Sequence, residues 1–116
     1  MFNEFIKHLS DIRYPSKKQS IQEMWDVEGR LKKSNRAFKF NVRPMKKIEN
    51  KLQKNGYFNT KADKLVFETT ENWLVFDTEE LHNYIKNNKL NTIHLDDLIY
   101  KLDWNIIISK NESNRE

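Results

Sequence analysis

Between Arg36 and Val42 the chain alternates strictly, with Phe38, Phe40 and Val42 on one side and Lys39 and Asn41 on the other. Successive side chains of a strand point to opposite faces, so this pattern predicts a half-buried β-strand. Such a strand needs partners along its edges and an apolar layer against its dry face. Lys64 to Thr69 and Trp73 to Asp77, both rich in Val, Phe, Leu and Trp, are candidate partners, and the polar T-T-E-N between them reads as a hairpin loop. Trp104 to Ser109, W-N-I-I-I-S, is strand-like as well.

Helical spacing fills the intervals. Phe2, Phe5, Ile6 and Leu9 predict a first helix, broken at Tyr14-Pro15. Ile21, Met24, Trp25, Val27 and Leu31 predict a second, capped by Ser16 or Ser20, with Ser20 to Glu23 in the form of a capping box and Gly29 weakening its interior. Pro44 fits the first position of a third helix with Met45, Ile48 and Leu52 inward, ended by Asn55-Gly56. Asp77 opens a fourth helix, whose first turn carries Glu79 and Glu80 and whose stripe is Leu81, Tyr84 and Ile85; a shorter helix spans Asp96 to Leu102.

The order strand, helix, strand, strand, helix in two pieces, strand over residues 36–109 predicts an α+β fold with a ferredoxin-like βαββαβ core and two N-terminal helices packed on its sheet. A weak echo, pairing Phe38, Phe40, Met45 and Ile48 with Leu74, Phe76, Leu81 and Tyr84, fits that reading. The alternative is a winged helix with the 64–77 hairpin as its wing. Residues 1–110 are expected to form a single domain, with 1–34 as a helical extension and 111–116 as a frayed tail.

Composition limits the chemistry. The chain of 116 residues is 37% hydrophobic and 33% charged, against about 25% charged in an average domain. Its core is thin, and the 12% of aromatic residues must supply much of the buried area. Cysteine is absent, which excludes disulfides, zinc-thiolate sites and thiol nucleophiles. No apolar run reaches the length of a membrane span, and M-F-N-E-F-I-K-H-L-S lacks the form of a signal peptide, so a cytoplasmic protein is expected.

Charge is the strongest functional signal. From Arg30 to Lys61 eleven bases face one acid, Glu49, a net +10; from Ala62 to Asp103 nine acids face four bases, a net −5. Solvated surfaces usually intersperse their signs, so this separation predicts an electrostatic footprint. Arg30, Lys32, Lys33, Arg36, Lys39, Arg43, Lys46, Lys47, Lys51 and Lys54 are the candidate contacts to DNA or RNA phosphates. Trp73 is the candidate for base stacking, should it lie on the outer face of the sheet; Phe38 and Phe40 are assigned to the core.

Signals for catalysis are weak. His8, His82 and His94 are isolated, and no metal-ligand spacing appears. Glu49-Asn50-Lys51 has the E-x-K form of one nuclease superfamily but falls in an expected helix without a preceding acid, and Asp96-Asp97 reads as helix capping. With only Gly29 and Gly56, no loop can cradle phosphates by close backbone approach. The expectation is a non-enzymatic, regulatory nucleic-acid-binding protein without metal or cofactor. The alternative is an inhibitor or adaptor of phage or mobile-element type, gripping an intracellular protein through its acidic residues 77–103.

Overall fold

Two strands form the centre of the molecule and are buried on both faces: β5 (Lys64–Glu68) and β6 (Asn72–Asp77). The computed structural model describes residues 4–32, 34–43, 51–53, 60–90 and 92–110, the backbone alone at 51–53 and 92. In chain order its elements are a 3-10 turn at Phe5–His8, β1 (Leu9–Arg13), α1 (Lys17–Glu23), β2 (Val27–Leu31), β3 (Phe38–Arg43) and β4 (Lys51–Gln53). After β5 and β6 come α2 (Thr78–Asn87), β7 (Thr92–His94), α3 (Leu95–Lys101) and β8 (Asn105–Ser109).

Side-chain alternation on β5 and β6 divides the protein into two cores. Leu65, Phe67, Leu74 and Phe76 point to the face covered by α2 and α3, where they meet Leu81, Ile85, Leu95 and Leu98. Val66, Trp73 and Val75 point to the opposite face, which Phe40 and Val42 of β3, Val27 and Leu31 of β2, and Leu9 of β1 complete. Phe5 closes that second core from the 3-10 turn, its ring centroid 5.3 Å from Phe40 and 5.6 Å from Trp73. Strands buried on both faces read as continuous apolar runs, and L-V-F and W-L-V-F are such runs.

The sheet order is β1-β2-β3-β5-β6-β8, with β3 and β5 parallel and every other neighbouring pair antiparallel. The fold is thus α+β, but the strands of the 36–109 region lie in chain order across the sheet. A ferredoxin-like split βαβ places another strand between its two parallel strands; here β3 and β5 are direct neighbours. Nor is the molecule a winged helix, because residues 51–53, expected inside a helix, form β4 and pair with β7. Residues 44–50 and 54–59 of that expected helix lie outside the described residues. The sequence echo is no structural repeat either: Phe38 and Phe40 enter one core, Leu74 and Phe76 the other.

The N-terminal region differs most from expectation. In place of two helices, the described part of residues 1–34 contributes a 3-10 turn, the seven-residue α1 and two strands of the sheet. Of the two candidate caps, Ser16 and Ser20, it is Ser16 that caps α1, in a reciprocal box with Gln19. Met24 adopts the left-handed conformation, φ 59°, and ends the helix. Beyond it Val27, Gly29 and Leu31 follow a two-residue period and turn inward as a strand. Gly29 acts by close approach: a Cβ there would stand 3.1 Å from both Leu9 Cβ and Ser10 O of β1.

Gly29→Ala is therefore expected to push β1 away from β2 and cost about 1–3 kcal/mol, within the range of overpacked sites. Urea unfolding would show a lower midpoint at unchanged slope. An unchanged midpoint would mean that β1 yields freely at this contact.

Candidate functional site

Once the core has taken Phe38, Phe40 and Val42, Lys39, Asn41 and Arg43 of β3 are left on the other face. Glu28 and Arg30 of β2 share it, since Glu28 lies opposite Lys39. On β1, Ser10 lies opposite Arg30 and Arg13 opposite Glu28. A register break between Ser10 and Arg13, with Asp11 at φ 54°, brings both onto this face; without it, residues three apart would point to opposite sides. Arg13, Arg30, Lys39 and Arg43 thus share one face of β1–β3, beside the part of the sheet that α2 and α3 cover.

Carboxylates partly balance these cations. Arg13 Nε lies 2.5 Å from Glu28 Oε1, Arg30 Nη2 2.5 Å from Asp11 Oδ2, and Lys39 Nζ 3.8 Å from Glu23 Oε1. Beneath them Trp25 is fully buried, its indole N–H donating to Glu23 Oε1 at 2.8 Å. The Arg13 guanidinium carbon and Lys39 Nζ lie 5.4 Å and 5.2 Å from the Trp25 ring centroid, within cation–π range. Asn41 Nδ2 and Thr60 Oγ1 both donate to the Met24 carbonyl, and the Val42 N–H donates to Asp26 Oδ2 at 2.7 Å. Burial pushes the Asp26 carboxyl above its ordinary value, against that hydrogen bond and the charge of Arg43. At the far end of β2, a groove of about 380 Å³ is lined by His8, Ser10, Arg30, Lys32 and Ser34.

A second polar cluster lies where β3 and β5 begin and β6 passes into α2. There a cleft of about 480 Å³ brings together Arg36, Asp63, Lys64, Asp77, Glu79 and His82. Lys64 is 5% exposed. Its ammonium lies 2.8 Å from Asp77 Oδ1, 3.6 Å from the Trp104 ring centroid and 4.5 Å from that of Phe38. Asp77 also caps α2, accepting from the Glu80 N–H at 3.0 Å. Burial raises the Asp77 carboxyl, but the Lys64 hydrogen bond, the Glu80 N–H and the charges of Lys64 and Arg36 outweigh it and hold the carboxyl below its ordinary value. Burial alone pushes the His82 imidazole down. With its ammonium committed to one carboxylate and two rings, Lys64 works as an anchor between β5, β6 and the aromatic wall.

The ten predicted basic contacts divide accordingly. Arg30, Lys39 and Arg43 come together on the face of β1–β3, and Lys32 joins Arg30 at the adjoining groove. Arg36 does not; its guanidinium carbon stands 4.8 Å from the Phe38 ring at the cleft. Lys51 lies in β4, while Lys33, Lys46, Lys47 and Lys54 fall outside the described residues. Trp73 is 1% exposed against Phe5 and offers no stacking surface. Arg13 joins the face unforeseen, because nothing in S-D-I-R announces a bulge. Among the described residues no group of three or more His, Asp or Glu could hold a metal ion, and no helix is long and apolar enough to cross a membrane.

These features define an α+β protein with a charged strand face beside two helices. No family model, curated protein or solved structure matches the chain.

Lys64→Met keeps the aromatic packing and removes the ammonium. It is expected to cost about 2–4 kcal/mol at neutral pH, because it strands a partly buried carboxylate. Asp77 titrates lower in the folded than in the unfolded chain, so its contribution is present above the unfolded carboxylate value and is lost as pH falls through the folded one. The gap between wild type and variant should therefore narrow in acid. Urea midpoints across that range measure it, and a gap independent of pH would contradict the pairing.

Proposed function

We propose that the chain is a small, non-enzymatic nucleic-acid-binding protein of the cytoplasm that contacts DNA or RNA phosphates through the charged face of β1–β3. The observation that carries this reading is the shared face of Arg13, Arg30, Lys39 and Arg43, joined by Lys32 at the adjoining groove. Arg30 to Arg43 also lead into the rest of the +10 segment. The partner carboxylates do not oppose it strongly. Ion pairs as exposed as Arg13–Glu28 and Arg30–Asp11 are worth about 0–1 kcal/mol, so a phosphate can take the place of either carboxylate. With Trp73 buried, recognition falls mainly to backbone charge, which carries little sequence preference.

A second reading has a specific observation of its own. Tyr100 of α3 is 85% exposed beside the exposed acids Asp96 and Asp97, and tyrosine is enriched among residues that anchor protein interfaces. An acidic docking surface for another protein would use this helix. Loss of the partner on Asp96→Lys/Asp97→Lys, with binding indifferent to nuclease, would favour this reading.

Fluorescence anisotropy with labelled single- and double-stranded DNA and RNA tests the first reading. Binding should weaken steeply with salt, and the double variant Arg30→Gln/Lys39→Gln should reduce the slope of log K against log salt by about 2. Absence of binding at low salt would overturn it.

A further inference from the structure

Arg13, Arg30 and Lys39 each stand near a carboxylate, and the three pairs are not alike. Arg13 meets Glu28 and Arg30 meets Asp11 directly, both at 2.5 Å. Lys39 Nζ stands 3.8 Å from Glu23 Oε1, too far for a hydrogen bond. That oxygen already has a donor, because it accepts the Trp25 indole N–H at 2.8 Å. The Trp25 ring also attracts the ammonium, which lies 5.2 Å from its centroid. One side chain thus holds the carboxylate by its edge and the cation by its face.

The backbone fixes this geometry. Glu23 is the last residue of α1, and its carbonyl accepts the Lys61 N–H at 2.8 Å. Met24, left-handed at φ 59°, turns the chain so that Trp25 reaches back to Glu23. That conformation is unfavourable for a residue with a side chain, and its surroundings hold it in place. The Met24 N–H donates to the Ser20 carbonyl at 3.1 Å, and its own carbonyl accepts from Asn41 Nδ2 and Thr60 Oγ1. Glu28, the residue opposite Lys39 on β2, is engaged with Arg13.

We propose, resting on the nucleic-acid reading above, that Trp25 is a positioning residue that holds Glu23 off Lys39 and so keeps the ammonium ready for a backbone phosphate. The indole N–H and the ammonium compete for the lone pairs of one oxygen. Without the N–H, Lys39 and Glu23 can close to the separation of a charge-assisted hydrogen bond, about 2.7–2.9 Å. A phosphate would then have to displace the carboxylate and face its full charge. With the N–H in place, phosphate reaches the ammonium without breaking a hydrogen bond. The Arg13 guanidinium carbon lies 5.4 Å from the centroid of the same ring, so Trp25 also holds a second cation of the face beside the first.

Trp25→Phe keeps a ring beside the cations and removes the N–H. In low-salt anisotropy titrations with the labelled DNA or RNA strand that wild type binds most tightly, it should weaken binding about two- to fivefold, the worth of one exposed ion pair. Adding Glu23→Gln should restore the affinity of Glu23→Gln alone, and in a Lys39→Gln background Trp25→Phe should have no effect. Lost packing would not be relieved by a second substitution at Glu23, so the rescue separates positioning from stability. Nitrogen-15 NMR on the full chain gives a measurement that leaves Trp25 in place: its indole N–H resonance should move upfield in Glu23→Gln and stay in Lys39→Gln. Equal binding by wild type and Trp25→Phe, a loss that Glu23→Gln does not relieve, or an indole resonance indifferent to Glu23→Gln would each overturn the proposal and leave the nucleic-acid reading standing. Absence of binding by wild type would overturn both.

Discussion

The structure depends on the burial of β5 and β6 on both faces. A chain with so little apolar residue and so much charge cannot enclose one large core; it builds two smaller ones that share a pair of strands. Leu65, Phe67, Leu74 and Phe76 serve the helical side, while Val66, Trp73 and Val75 serve the side closed by Phe5. Each aromatic on this pair removes a large area from water, about 150–250 Å² when fully buried. The anchoring of β5 by Lys64 follows from the same geometry. A cation at the start of a strand this buried needs a carboxylate and an aromatic wall, and Asp77, Phe38 and Trp104 provide them.

Placement of the charged face follows from the extent of those cores. α2 and α3 cover only the β5–β6 end of their side of the sheet, so β1–β3 present polar residues beside them. Lys39, Asn41 and Arg43 are the residues that the alternation of Phe38, Phe40 and Val42 leaves over, and the bulge at Asp11 adds Arg13. The face carries acids as well as bases, so its potential arises from the local balance, with Glu28 and Asp11 as the partners of Arg13 and Arg30.

What the sequence disclosed depended on whether a pattern had one reading or two. β3, β5, β6 and β8, together with α2 and its Asp77 cap, were legible because a two-residue period or a helical stripe stood alone there. The burial of Phe40 and Val42 followed from the same alternation. Val27 to Leu31 was misread because Val27 and Leu31 satisfy the helical stripe from Ile21 and a strand period through Gly29 equally well. Only tertiary contact, the approach of β1 to Gly29, separates the two. Strand order was not legible, because the chain order of strands and helices fits several sheet topologies. For the site, the side of β3 carrying Lys39 and Arg43 was readable; the exclusion of Arg36, the inclusion of Arg13 and the burial of Trp73 depended on packing that no local pattern records.

The central proposal is that nucleic acid meets the β1–β3 face and not the helices α2 and α3 beside it. Amide chemical-shift perturbation on titrating a short duplex into the labelled protein tests it most directly. Shifts are expected to concentrate at Arg13, Glu28, Arg30, Lys39 and Arg43, with α2 and α3 quiet. Shifts centred on Glu79, Asp96, Asp97 and Tyr100, or none on β1–β3, would contradict it.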